Sequence, residues 1–388
     1  MTEEKPETIT FRDDVEFLQK HTGVILLGDK TREGLLVVAP AWQGRVMTST
    51  AGGPDGLSYG WLNRELISSG EILEHMNAFG GEDRLWLGPE GGQFSIFFKK
   101  GDPFDLDHWQ VPAFMDTEPF ETVMADQTRA VFQKKIQIKN YSDVTFDIEL
   151  LREIRVLETP EIESMLGVAV PEAVKGVGYV STNTLSNVGE AAWSKDTGLL
   201  SIWILGMFIP SPETTVVIPF VEGEEGDLGP IVNDTYFGKV PEDRLKVGEG
   251  FIFFSGDGQY RSKIGLTPQR AKPIMGSYDS GNRILTIVTY TKPQGILDYV
   301  NSMWELQEAP FSGDVVNSYN DGPPEPGAKS LGPFYELESS SPAAALKPGE
   351  NKIHEHRTFH FEGTEAQLDG IARQCLGIGL EKIKSALK

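Results

Sequence analysis

Along most of the chain, apolar residues recur at every second position or in short runs, and Gly, Pro, Asn or Asp closes each run. That pattern predicts β-strands. Strands are expected at Val24–Leu27, Leu35–Ala39, Arg45–Ser49, Phe94–Phe98, Gly176–Thr182, Leu199–Phe208, Thr215–Phe220, Gly250–Phe254, Arg283–Tyr290, Gly332–Ser339 and Asn351–Phe361. Two long ones, Ala130–Lys139 and Thr145–Leu157, flank Asn140-Tyr141-Ser142-Asp143, whose composition is that of a hairpin turn. Helical spacing is confined to a short helix over 12–20, a turn over 63–69 and a closing helix over 364–387. The last opens on Thr364 with Gln367 three residues on, a capping box, and places Leu368, Ile371, Ala372 and Cys375 on one face. Residues 318–329, rich in Gly, Pro, Asp and Asn, read as a long loop. Many strands with no βαβ alternation predict an all-β protein, a large antiparallel sandwich forming one domain over 1–388.

Composition narrows the partners. The chain carries 35 Lys+Arg against 57 Asp+Glu, a net charge of −22, and would repel nucleic-acid phosphates and anionic membranes. Neutral or cationic small molecules are the expected ligands. The single cysteine, Cys375, excludes an intramolecular disulfide or a cysteine-cluster metal site and reads as a small core residue. No apolar run is long enough to span a membrane. The opening Met1-Thr2-Glu3-Glu4-Lys5-Pro6 lacks the basic and apolar regions of a leader, which points to the cytoplasm, or to the periplasm if a leader has been trimmed. Neither a cofactor nor a metal is expected, and the oligomeric state is left open.

The segment with the most chemistry in it is Phe334-Tyr335-Glu336-Leu337-Glu338, followed by Pro342 and Pro348-Gly349-Glu350. On a strand, Phe334, Glu336 and Glu338 share one face and Tyr335 and Leu337 the other. Two carboxylates on one face of an apolar strand either meet water or line a site. A second cluster, Arg84, Trp86, Glu90 and Gln93, combines an aromatic face with groups able to form paired hydrogen bonds, the means by which proteins hold sugars. Here Gly80-Gly81 would make a turn or let backbone approach a ligand. Arg45 and the segment Asp257–Lys263 could add to a site. His354, His356 and His360, evenly spaced on one strand, are expected to face solvent from an edge strand. His21 suits a helix end, and His108 a polar loop able to reach a cleft. No glycine loop opens a helix in the manner of a phosphate site.

Four stretches together resemble the galactose mutarotase-like (aldose 1-epimerase-like) superfamily. The strand at Glu336–Glu338 with its proline and Pro-Gly-Glu loop is similar to the one that carries the epimerases' general base, so the resemblance implies that role for Glu338. Tyr179-Val180-Ser181-Thr182-Asn183-Thr184 resembles a Thr-Asn-His stretch, and Asp234-Thr235-Tyr236-Phe237 a segment whose aspartate holds sugar hydroxyls. Residues 77–90 resemble the His-Gly-Gly region and, more closely, uncharacterised bacterial relatives with the pattern Gly-Gly-x-x-Arg-Leu-Trp-x-x-Pro-Glu. The resemblance implies a β-supersandwich that takes a neutral sugar or oligosaccharide, with Glu338 catalytic and Arg84, Trp86, Glu90, Asn183, Asp234 and Glu336 binding. It departs from the family where Phe79 and Thr184 replace the two histidines, one of which serves as acid. Three functions therefore stand: an epimerase with another acid, a sugar-binding protein without turnover, and a glycoside hydrolase or lyase on the same sandwich.

Overall fold

The computed structural model describes residues 9–325 and 327–388; the acidic residues 1–6 read above for a leader lie outside them. Three sheets hold the strands, and every strand pair within them is antiparallel. Ten strands form the largest, in the order Leu245–Gly248, Phe251–Ser255, Thr214–Pro219, Ile274–Asp279, Ile284–Tyr290, Asn351–Glu362, Lys175–Asn187, Thr145–Val156, Arg129–Lys139 and Glu121–Ala125. Five form the second: Ser262–Leu266, Val316–Asn320, Tyr335–Ser340, Ser201–Phe208 and Arg84–Gly88. The third, Ile25–Gly28, Leu35–Ala39 and Arg45–Thr50, packs with the helix Phe11–His21 around Leu18, Val37 and Met47.

The alternation of apolar side chains explains the layering. Tyr335 and Leu337 point from the five-stranded sheet into a core shared with Val216, Ile218, Phe254 and Val288 of the large sheet. Elsewhere Leu85, Ile202 and Ile204 meet Phe132, Ile148 and Tyr179. The opposite face of the large sheet is covered by the C-terminal helices through Leu368, Ile371, Leu376 and Ile383. This is an antiparallel β-sandwich, with a polar seam running through its middle. Ser339 Oγ lies 2.8 Å from both His354 Nε2 and His356 Nδ1, clasping the 335–340 strand to the large sheet. Burial pushes these imidazoles down, to about 3 for His354 and about 4 for His356. Arg152, fully buried, donates to Asp83 Oδ1 at 2.6 Å, to Asn183 Oδ1 at 2.7 Å and to the Gly44 carbonyl at 3.1 Å.

Several expectations are corrected. The three histidines are not on an exposed edge: Asn351–Glu362 lies between two long strands, and all three are buried, with His360 Nε2 2.9 Å from Glu82 Oε2. Alternation reports which face a residue takes and not whether that face is wet. Phe94–Phe98 is an irregular stretch, with Phe97 and Phe98 buried among Trp86, Trp109 and Trp304 rather than paired in a ladder. The closing helix is two, Glu365–Cys375 and Leu380–Ser385, separated at Gly377, whose φ of 82° the helix cannot use. The expected loop 318–329 begins inside a strand, Val316–Asn320. Among the described residues no helix is long and apolar enough to cross a membrane.

Candidate functional site

A cleft of about 930 Å³ opens on the face of the five-stranded sheet turned away from the ten-stranded one. Register builds it in rows. Lys263, Tyr319, Glu336 and Met207 stand opposite one another on successive strands. The next row runs from Asn317 through Glu338 and Leu205 to Arg84, and the one after it pairs Trp203 with Trp86. Loop residues Tyr236, Phe237, Trp304 and Asp314 wall the cleft, with Trp109 and Glu90.

Charge is concentrated at its floor. Arg84 pairs with Glu336, its guanidinium 5.3 Å from the centre of the Trp86 ring. One row on, Glu338 is entirely enclosed: its Oε2 accepts from Lys263 Nζ at 3.0 Å and Trp203 Nε1 at 2.9 Å, while Oε1 has no other donor. The Lys263 ammonium also lies 4.8 Å above Trp203 and 5.7 Å from Tyr236, each measured to the ring centre. Burial would lower this ammonium, but the charges of Glu338, Glu90 and Glu336 overcome it and raise it.

The carboxyls are shifted the other way. Burial raises Glu336 well above the carboxylate range; Glu338's charge adds to this, while Arg84 and Lys263 oppose it. Glu336 and Glu338 are neighbours on one face of the strand, and a protonated Glu336 carries a hydrogen that it can donate. Burial takes Glu90 to about 7 against the pull of Lys263, and Asp314 to about 6 although the Tyr236 hydroxyl donates to it at 2.5 Å. Here, then, are carboxyls poised near neutral pH among four tryptophans of one open cleft.

Of the residues singled out from the sequence, Arg84, Trp86, Glu90, Asp234 and Glu336 line this cleft, as do Arg261 and Lys263 from the segment Asp257–Lys263. Glu338 lies beneath its lining, behind Lys263 and Trp203, so the cleft-facing carboxyl of the pair is Glu336. Asp234 is held by Lys239 at 2.6 Å. Asn183 belongs to the seam between the sheets, bonded to Arg152 and Ser181, and is not part of the lining. Phe79 stacks on Trp42 at 4.6 Å and Thr184 sits on the large sheet away from the cleft, so neither position would bring a histidine to the lining. His108 pairs with Asp105 at the surface, and Arg45 is buried against the Gly80 carbonyl. Gly80 and Gly81, both at positive φ, fit the chain against Trp61 and Arg45 and do not border the cleft. Sequence reasoning missed Trp109, Trp203, Trp304 and Asp314; the available signal was the high aromatic content, which names no position. Among the described residues no cluster of His, Cys, Asp and Glu is arranged to hold a metal ion.

The raised carboxyls have a consequence for stability. A carboxyl whose folded value exceeds its unfolded one keeps its proton after the unfolded chain has lost it. Its contribution is full below the unfolded value of 4.5 and is lost as pH rises through about 7 for Glu90. Glu90→Gln should therefore match the parent in thermal unfolding at about pH 4 and exceed it at about pH 8, the gap growing in between. A constant gap across that range would show that Glu90 does not carry the shift.

The sheets have the arrangement of the galactose mutarotase-like fold. Among solved structures, a proposed aldose 1-epimerase from Escherichia coli K12 superposes with a TM-score of 0.51 at 12% identity, over 87% of this chain and 98% of that one. The Slr1438 protein from Synechocystis sp. PCC 6803 gives 0.50 at 12% identity, over 88% and 96%. At such identity these likenesses establish the fold. The chain itself belongs to DUF6786, a family of unknown function whose profile matches residues 9–387. No functionally curated protein matches the sequence.

Proposed function

We propose that the cleft binds a carbohydrate and that its carboxyls exchange a proton with a sugar hydroxyl, in the manner of an aldose 1-epimerase. The observation that carries this is the joining of tryptophan faces to buried, proton-bearing carboxyls in one cleft: Trp86, Trp203 and Trp304 with Glu90 and Glu336. Aromatic faces pack against sugar C–H groups, and carboxyls and the Arg84 fork hold hydroxyls. In this reading Glu336 faces the sugar and Glu338, behind it, takes up and returns the proton through Glu336. Removing the anomeric hydroxyl proton while the ring oxygen gains one breaks the C1–ring oxygen bond. Rotation and reclosure on the other face then give the other anomer, with no net change in atoms or charge. Glu90, near half-protonated at neutral pH, is a suitable donor to the ring oxygen.

A second reading, binding without turnover, draws on the tie between Glu338 and Lys263, which occupies one oxygen of the proton acceptor. One experiment separates the two: calorimetric titration with a panel of aldoses, followed by NMR exchange between α and β anomers of any sugar that binds. Binding with accelerated exchange supports the epimerase, and binding alone supports the second reading. Absence of binding across the panel sinks both.

A further inference from the structure

We infer that the cleft takes a saccharide of two or more rings, bridging aromatic platforms at the two ends of its floor; this rests on the carbohydrate reading above. The rows of the five-stranded sheet give the cleft its length. Tyr319 shares a row with Glu336, and Trp203 and Trp86 share a row with Ser340. From Glu336 to Ser340 along the strand is about 13 Å at the usual rise per residue. Aromatic surface stands at both ends of that span, with the Arg84 row between them and Glu336 and Lys263 in the row of Tyr319.

The two platforms are separately built. At one end Trp304 stacks on Trp109 at 5.7 Å, and Trp86 meets Trp203 edge-on at 5.6 Å. At the other, Phe237 meets Tyr319 edge-on at 5.9 Å, and Tyr319 packs on Phe334 at 5.7 Å. Phe237 is 47% exposed although it lines the cleft, and Arg261 lies over its ring at 4.1 Å. A large aromatic side chain left this exposed at a cleft rim offers, on the face away from Arg261, a stacking surface for a ligand.

Volume points the same way. At about 930 Å³ the cleft is near the upper end of the roughly 300–1,000 Å³ typical of sites that enclose a drug-sized ligand. A single sugar ring on the Glu336 floor would leave at least one platform bare. A chain of rings lays one ring on each platform and sets a linkage or an end ring over the carboxyls. The lining is also richer in carboxyls than in bases, with Glu90, Asp314 and Asp321 outside the two floor ion pairs, which suits uncharged rings over uronic acids.

The test is a calorimetric series: glucose, galactose and mannose, each with its α- and β-1,4-linked oligosaccharides of two to four rings. Affinity should rise about tenfold or more from one ring to the length that reaches both platforms, the gain expected of an added aromatic contact. Phe237→Ala, a change at a 47% exposed position, should remove about that tenfold from the longer saccharide and cost single-ring affinity less. A single ring that binds as tightly as every longer homologue overturns the inference, as does a Phe237→Ala protein that keeps the full gain. Either result leaves the carbohydrate reading standing. Failure of every member of the series to bind overturns that reading instead.

Discussion

Glu338→Gln should slow anomer exchange by about 10²–10⁴-fold, the usual worth of a positioned acid–base group, while sugar binding persists. The amide fills the same space and can still accept from Trp203 Nε1, but it has no carboxylate to receive the proton that Glu336 passes back. It also leaves the buried Lys263 ammonium without its partner, so the rate is to be taken on protein whose near-UV circular dichroism matches the parent. Exchange measured by NMR at an unchanged rate would remove Glu338 from the chemistry. Exchange lost together with binding would make it a structural support for the floor.

The largest effect on stability is expected at Arg152→Met, about 3–5 kcal/mol in urea unfolding, because the substitution strands a buried charge. Asp83 and Arg152 are both wholly enclosed, and the guanidinium also ties the Gly44 carbonyl and Asn183 into the seam. Methionine replaces the unbranched stem of the side chain but leaves the Asp83 carboxylate without the guanidinium that pairs with it. Adding Asp83→Asn should restore part of the loss, since an unpaired amide is far cheaper to bury than an unpaired charge. A single-variant cost below about 1 kcal/mol would show that water or a neighbouring cation reaches Asp83.

How much of this was legible in the sequence depends on range. Alternation along Tyr335–Leu337 and its neighbours told which side each residue takes, and the structure keeps that division, apolar inward and carboxyls outward. The order of roles within the pair was not legible. Which of Glu336 and Glu338 touches the cleft is decided by Lys263, 75 residues away in sequence, and by Trp203 on the adjoining strand. No local pattern announces such a meeting. Asn183 shows the converse: its place beside a family-like motif suggested a ligand contact, yet Arg152 on the adjacent strand claims it for the seam. The histidines at 354, 356 and 360 misled because even spacing is shared by wet and buried faces. Their neighbours across the layers, Ser339 and Glu82, come from distant segments.

The Ser339 clasp bears on how this strand can vary in length. Slipping the 335–340 strand by one residue would turn Tyr335 and Leu337 toward the cleft and bury Glu336 and Glu338 against the apolar core. The same slip would replace Ser339 by Glu338 or Ser340 between two imidazoles that stay neutral. A glutamate there would meet no positive charge, and a serine there would bring both carboxyls inward with it. Insertions and deletions of a single residue are thus barred from this strand, whereas changes in the flanking loops at 321–334 and 341–350 leave its parity untouched. In homologues of this chain, variation in length should gather in those loops and stop at the strand's two ends.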